Sequence, residues 1–532
     1  MTPLLTLARL RAVEIAAQAA LPPHTLMARA AQAVADAALA FAAPRYAFIA
    51  GPGNNGGDAI EAATLLHRAG HAVTVVFLGD AAKLPADAAE ALALSHAAGV
   101  PMAGLPELPA LLADDAASLV DGAPSSDGAA AAVCVIDGLF GIGLQRALGG
   151  DFRAAVALMN AHHGPVLAVD LPSGLDCDSG AVVGGADGIA VRATRTVTMI
   201  GDKPGLHTGA GLVLAGAVSV APIGLTAEAA AAADGALNAP DGFAALVAPR
   251  AIDSHKGSFG DLRIVGGAAG MAGAAVLAAR AGLLAGAGRV FVHALAPQPS
   301  YDPLHPEIMW RAADAAAMTG GALVVGPGLG QSDAARELLR ALIGSAKKLV
   351  LDADALNLVA GDATLAEALT ARGGYAAHAA ILTPHPLEAA RLLGSDAATI
   401  NANRLASALE IARRYRCVAV LKGAGSVIAT PDGRWRINPT GNPGLATGGT
   451  GDVLAGLTGA LFARGDEAFE VACAAVWLHG RAADDLVAAG IGPIGLAAGE
   501  LAPAIRAAIN RLAAPRASSA RGRSAPPAPD RA

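Results

Sequence analysis

The chain has 532 residues, a formal net charge of −7 at pH 7, 54% hydrophobic and 16% charged residues, and a mean hydropathy of +0.47. That length exceeds one ordinary core, so about two to four domains are expected, and an acidic balance without a long basic stripe excludes nucleic acid as the main partner. Much of the hydropathy is alanine, and the one long uncharged run, between Lys203 and Glu228, is broken by Gly209, Gly211, Gly216, Pro222 and Gly224, so it predicts turns and short strands and no membrane span.

Arg9, Arg11 and Glu14 interrupt the first turns and leave no signal-peptide core, so the expectation is a cytoplasmic protein. Cys134, Cys177, Cys417 and Cys473 stand far apart with no CxxC, which points to neither a zinc site nor a disulfide framework.

In chain order, Leu26 to Ala40 predicts a helix buried on most sides, followed by a strand at Tyr46 to Ala50. The loop GPGNNGGD, Gly51 to Asp58, leads into a helix through about Arg68, a turn at Gly70 and a second strand, HAVTVVFLG. This is a βαβ unit with a glycine-rich first turn. Gly51, Gly53 and Gly56 satisfy GxGxxG, and Asp80 follows the second strand where a ribose-binding acid would stand, so a hydride-transfer dehydrogenase is a rival reading. Against it, Asn54, Asn55 and Asp58 add oxygen donors that suit a monovalent or hard cation and a polar sugar. The bland alternative places both asparagines at left-handed turn positions.

Two more strands end in acids. Ala132 to Ile136 runs into Asp137 and GLFGIGLQRAL, and Pro165 to Val169 runs into Asp170 and LPSGLD. Parallel α/β sheets bind ligands at the carboxyl ends of their strands, so Asn55, Asp137, Asp170 and Ser173 are expected to converge, although a single Asp after a strand is more often a cap.

GPGNNGGD, DGLFGIG, DLPSGLD and the later MIGDKPGL resemble the epimerase domain of the NAD(P)H-hydrate repair enzymes, from about Leu26 to Leu225. The resemblance implies a Rossmann-like three-layer sandwich in which Asn55, Asp137 and Ser173 hold a potassium ion. It further implies that Asn54, Asn55, Gly56, Gly57 and Asp58, with Gly141, Ile142, Gly143, Leu144, Gln145, Arg146 and Ala147, line the hydrated nucleotide. Asp170 would bind the same substrate and act as general acid/base at the C6 hydroxyl. Ala31 and Ala59 stand where the family usually has Gly.

The stretch TAEAAAAADGALNAP, Thr226 to Pro240, has no aromatic residue and little β-branching and is read as a linker between domains 1–225 and 241–514. Beyond it, SHKGSFG precedes a strand at Asp261 to Val265, and Gly266, Gly267, Gly270 and Gly273 open a small-residue helix. Further strands end in GPGLG, DADALN, TPHPLE and LKGAGSVI, the rhythm of a doubly wound parallel sheet. His385 is restrained between two prolines, and Lys422 before Gly423 can neutralise phosphate oxygens.

The strongest stretch is NPGLATGGTGDVLAG, Asn442 to Gly456. Gly448, Gly449 and Gly451 let the backbone approach an anion at the start of a helix. Asp452 would repel a phosphate, so it is read as a base or a metal partner, against the plain alternative of an N-cap. With SHKGSFG, GGAAGMAGAA, GPGLG, DADALN and TPHP, this half resembles the ATP- or ADP-dependent dehydratase domain of the same enzymes, from about Pro249 to Leu512. That resemblance implies a ribokinase-like fold in which Lys422, Gly423, Ala424, Gly425, Ser426 and Gly451 contact the adenine nucleotide. Ala275, Gly328, His385 and Asp452 would contact hydrated NADH or NADPH, with Asp452 as catalytic base. Leu387 and Ser426 stand where the family commonly has Gly and Thr. Mg2+ with ADP or ATP, a homo-oligomeric assembly, no nucleic acid and no membrane complete the expectation. Two other classes remain open: a small-molecule kinase of ribokinase-like fold fused to a nucleotide-binding domain, and a non-catalytic nucleotide sensor. The last residues, Pro515 to Ala532, are read as a disordered tail.

Overall fold

The computed structural model describes residues 1–113, 133–296, 301–318, 320–372, 379–465 and 467–514; Ala132 and the tail expected at 515–532 lie outside them. The apolar periodicities of the sequence set the elements. Helix Thr25–Leu39 buries Met27, Ala30, Ala31, Val34, Ala35 and Ala38, the spacing of one helical face, and lays it on helix Asn54–Arg68. Strand Arg45–Ala50 sends Tyr46, Phe48 and Ala50 into one apolar layer and Ala47 and Ile49 into the other, as a period of two requires in a sheet covered on both faces.

The amino-terminal sheet has seven parallel strands. Across it run Met102–Ala103, Ala72–Phe77, Arg45–Ala50, Val133–Gly138, Val166–Val169, Arg195–Met199 and Ala217–Ala221. Chain order therefore reverses between Arg45–Ala50 and Val133–Gly138, which opens a crevice at their carboxyl ends. The second sheet has eleven strands, and its parallel part repeats the same order. Met309–Ala312, Arg289–Ala294, Asp261–Gly266, Ala322–Val325, Lys348–Leu351, Ala380–Leu382 and Val418–Leu421 lie side by side, with the reversal between Asp261–Gly266 and Ala322–Val325. Both sheets carry apolar layers on both faces. The three-layer and doubly wound expectations hold.

Three local expectations differ. LKGAGSVI is a hairpin: Val418–Leu421 and Val427–Ala429 pair antiparallel, and Lys422 to Ser426 form its turn, where a strand-to-helix loop was expected. The small-residue helix begins at Ala272, so Gly266 ends the strand and Gly267 and Gly270 belong to the loop before the helix. The stretch 226–240 is folded, with helix Thr226–Ala232 and strand Gly235–Leu237. Alanine-rich composition hid this, because the strand gains its stability from neighbours far along the chain. Gly235–Leu237 pairs in parallel with Trp435–Ile437, and Pro3–Leu4 pairs with it antiparallel, so the first residues of the chain close the edge of the second sheet. Asn238 fixes the turn that follows by donating to Asn438 Oδ1 and to Cys473 O. No helix among the described residues is long and apolar enough to cross a membrane.

Leu4 is fully buried in the core of the carboxyl-terminal half. Leu4→Ala is expected to lower the unfolding free energy of that half by about 2–4 kcal/mol. The denaturation midpoint followed by tryptophan fluorescence checks this, since Trp310, Trp435 and Trp477 all lie there.

Candidate active sites at the strand carboxyl ends

In the amino-terminal half, a cavity of about 440 Å³ opens at the order reversal. Gly51 ends the first strand where a Cβ would stand 1.9 Å from Leu139 O, so only glycine lets the two loops meet. Asn54 and Asn55 begin helix Asn54–Arg68 and neither is left-handed, which removes the bland turn reading. Asn54, Asn55, Asp58, Gly141, Ile142, Gly143, Leu144 and Asp170 line the cavity. Gly56 and Gly57 lie beneath the wall, and Gln145, Arg146 and Ala147 continue from it as an exposed stretch. Asp80 of the dehydrogenase reading lies elsewhere: it caps Ala82 N and pairs with Lys83.

Asp170 follows its strand with φ +66°, a backbone state that non-glycine residues hold only when the surroundings enforce it. Its Oδ1 accepts from Lys203 Nζ at 2.7 Å and from Met199 N at 3.0 Å. Its Oδ2 faces Gly141, at 3.2 Å from the place of a Cβ. One carboxylate oxygen is thus pinned and the other turned toward the cavity. Lys203 is 1% exposed and shares its charge with Thr198 Oγ1 at 2.5 Å. The sequence showed Lys203 within MIGDKPGL but gave it no task; a basic residue in a buried motif was the available signal. Glu14 and Arg11, from helix Leu7–Ala20, also line the cavity, and burial followed by the nearby Asp170 raises the Glu14 carboxyl. Asp58 is raised well above the ordinary range, by burial first and then by Asp170, Glu61, Glu14 and Asp87.

Asp137 and Ser173 are fully buried behind this wall. Asp137 Oδ1 accepts from Ser173 Oγ at 2.6 Å and Oδ2 from Ser173 N at 2.8 Å, while Asn55 Nδ2 is buried without a partner. Desolvation lifts the Asp137 carboxyl to about 6, and the groups that oppose this, Ser173 and Leu139, are all neutral. A buried carboxylate met only by neutral donors leaves a negative charge that a monovalent cation beside Asp137 would offset.

In the carboxyl-terminal half, a cavity of about 600 Å³ is lined by all six residues expected to meet the nucleotide, Lys422, Gly423, Ala424, Gly425, Ser426 and Gly451. Helix Thr450–Arg464 starts from Gly449, held at φ +92°, so Gly449 is the cap and Asp452 stands in the first turn. His479 is buried beneath; its Nε2–H donates to Thr450 O at 2.9 Å, and desolvation lowers its pKa to about 4, so the ring is neutral.

Lys422 Nζ lies 2.8 Å from Asp352 Oδ1 and 3.9 Å from Glu388 Oε2. Asp352, 1% exposed, also accepts from Thr383 Oγ1 at 2.9 Å. Asp452 feels this cluster: burial first, then Asp352, raise its carboxyl to about 6, and Lys422 opposes them. His385 caps helix Pro386–Leu393, its Nδ1 accepting from Leu387 N at 3.1 Å, and its nearly half-exposed ring lies within the field of Lys422 and Asp352. Ala275 and Gly328 are buried near the second order reversal, outside the cavity. Asp352 and Glu388 were legible only as letters in DADALN and TPHPLE. Their role depends on a lysine 70 residues from Asp352.

Two family models cover most of the chain: NAD(P)H-hydrate dehydratase matches residues 262–505 and YjeF-related protein N-terminus matches 23–205. The bifunctional NAD(P)H-hydrate repair enzyme Nnr of Coxiella burnetii is 36% identical over 510 residues, covering 93% of this chain and 97% of its own. The chain belongs to the bifunctional NAD(P)H-hydrate repair enzyme family. The ADP-dependent (S)-NAD(P)H-hydrate dehydratase of Neisseria meningitidis is 46% identical over 270 residues, 49% of this chain and 89% of its own. The ADP/ATP-dependent NAD(P)H-hydrate dehydratase of Bacillus subtilis, solved with ATP and Mg2+, is 28% identical with a TM-score of 0.46, covering 52% of this chain and 99% of its own. The doubly wound second half is the ribokinase-like domain of this family. Helix Leu7–Ala20, with Arg11 and Glu14, precedes the matched residues, so the motifs could not reveal that it covers the first cavity.

Glu388, 5% exposed, carries the pH signature of the second site. Burial raises its carboxyl from 4.5 to about 7, so between those values the folded protein holds a proton that the unfolded chain has released. This part of the stability is lost as pH rises through that window. Glu388→Gln should gain on the parent in denaturation midpoint from about pH 4.5 to 7, the two being closest at the acid end; a pH series of chemical denaturation checks it.

Proposed function

We propose that the amino-terminal half, 1–225, interconverts the R and S forms of hydrated NADH and NADPH, and that the carboxyl-terminal half, 241–514, dehydrates the S form with ADP or ATP. The products are NAD(P)H, AMP or ADP, and phosphate. The observation that carries this is the pair of carboxylates, Asp170 paired with the buried Lys203 and Asp452 within the field of the partly exposed Lys422, each at a strand or helix end.

In the first half, Asp170 Oδ2 takes the proton of the C6 hydroxyl as the C6–N1 bond opens to an aldehyde, its electron pair passing to the conjugated ring nitrogen. It returns the proton when N1 recloses on the opposite face, while Lys203 and Met199 N keep Oδ1 in place. Asn54, Asn55 and Asp58 bind the sugar-phosphate part of the substrate. Asn55, Asp137 and Ser173 hold potassium, whose positive charge would offset the buried Asp137 carboxylate. In the second half, Asp452 takes the proton of the C6 hydroxyl as that oxygen receives the terminal phosphoryl group. Lys422 and the Gly448 to Gly451 amides stabilise the phosphoryl charge. The C6–O bond then breaks as a proton leaves C5, phosphate departs and the ring double bond returns. Mg2+ bound to the nucleotide would neutralise its phosphates. Four free, buried cysteines are in keeping with a cytoplasmic protein.

The kinase reading differs in product: it leaves a stable phosphorylated compound and regenerates no NADH. Asp452→Asn is expected to abolish nucleotide-dependent clearance of hydrated NADH while epimerisation continues. In the parent, dehydration should rise with pH through about 6 as Asp452 loses its proton. Epimer-resolved chromatography across that range reads both; dehydration intact in Asp452→Asn, or a stable phosphorylated product, overturns the assignment. Lys203→Met should slow consumption of the R epimer by about 100-fold and leave the S epimer repairable, measured in the same assay.

A further inference from the structure

The cavity assigned above to the adenine nucleotide is not built by the carboxyl-terminal half alone. Its wall includes Leu212, from the short helix Gly211–Leu214 of the amino-terminal half. The residues just before that helix press on the hairpin turn that forms the opposite wall. Thr208, fully buried, donates through Oγ1 to Gly425 O at 3.0 Å and accepts from Arg404 Nε at 3.1 Å. Arg404, 3% exposed, donates through Nη2 to Leu421 O at 3.2 Å and Lys422 O at 3.0 Å. Gly425 has φ +62°, and a Cβ there would stand 2.1 Å from His207 O, so the amino-terminal half dictates both the residue type and the shape of the turn.

We propose that the epimerase half completes the adenine-nucleotide site of the dehydratase half, with Leu212 packing on the base and ribose of the nucleotide and Thr208 fixing the Gly425 turn. This rests on the reading of the cavity as the nucleotide site. The chemistry of the wall orients the ligand. Lys422 and the amide end of helix Thr450–Arg464 suit the phosphates. An aliphatic side chain offers nothing to a phosphate and stabilises an uncharged ring by removing apolar surface from water. Leu212 is 43% exposed without ligand, so it has surface to lose on binding and little packing to forfeit on substitution. Arg404 adds a buried positive charge under the turn, and all its hydrogen-bond acceptors are neutral among the described residues. The segment also continues directly from Lys203, which grips Asp170. The wall of one site and the anchor of the other are thus one stretch of chain.

The test is ADP binding to the full-length protein by calorimetry in the presence of Mg2+, together with steady-state dehydration of hydrated NADH. Leu212→Ser should weaken ADP binding by about fivefold and raise the KM for ADP alike, with the KM for hydrated NADH and the melting temperature unmoved. Leu212→Met should restore the parental affinity, and Thr208→Ser, which keeps the hydroxyl, should exceed Thr208→Val in affinity. Ala446→Trp, which fills the same cavity from an exposed position, separates the two levels of the argument. ADP affinity lost in Ala446→Trp and parental in Leu212→Ser overturns the cross-domain contribution alone. Parental affinity in both variants overturns the nucleotide assignment and this inference with it.

Discussion

Both sites depend on the carboxyl ends of parallel strands, the first where strand order reverses and the second at the turn that follows Val418–Leu421, further along its sheet. Where neighbouring strands send their connections to opposite faces, no helix covers their carboxyl ends, and backbone amides and short polar side chains are left to meet a ligand. This chain makes that arrangement twice, with the same order of parallel strands in each sheet. The first reversal gathers Asn55, Asp137, Asp170 and Ser173 from three strand ends. The second gathers the loops bearing Gly267 and Gly328, while Asp352 and Lys422 follow the ends of strands further along the sheet.

Each crevice then solves the same electrostatic problem. A carboxylate near a ligand must hold its geometry without giving up its second oxygen to a neighbour. At the first site Lys203 takes one oxygen of Asp170 and leaves the other facing the cavity. At the second, Lys422 is engaged by Asp352 and tempered by Glu388, and Asp452 stays unpaired with a carboxyl raised to about 6. A base of that strength is ionised near neutrality and still accepts a proton readily.

The two halves are more intimately joined than a linker reading allows. Strands Pro3–Leu4 and Gly235–Leu237 extend the second sheet, and Thr208 donates to the hairpin turn at Gly425. The segment that anchors Asp170 also walls the cavity of the second half, so the two halves share a structural element. The S epimer made by one half is what the other consumes, so a common element ties supply and use within one molecule.

The sequence by itself determined the class of fold, the division into two α/β halves and the identity of the residues at the strand ends. Gly51 to Asp58, Asp137, Asp170 and Asn442 to Gly456 were legible because local patterning marks strand, turn and helix start, and because several strand ends carry polar residues together where one alone would read as a cap. The structure alone decided that Lys203 pairs with Asp170, that Asp352 and Glu388 hold Lys422, that Lys422 to Ser426 form a hairpin turn, and that Leu212 lines the same cavity as that turn. Gln145, Arg146 and Ala147, expected at the substrate, stand beyond the cavity wall. Those outcomes depend on which strands become neighbours and how loops from distant positions pack, which is set by long-range burial and pairing across the whole sheet. No window of residues carries that information.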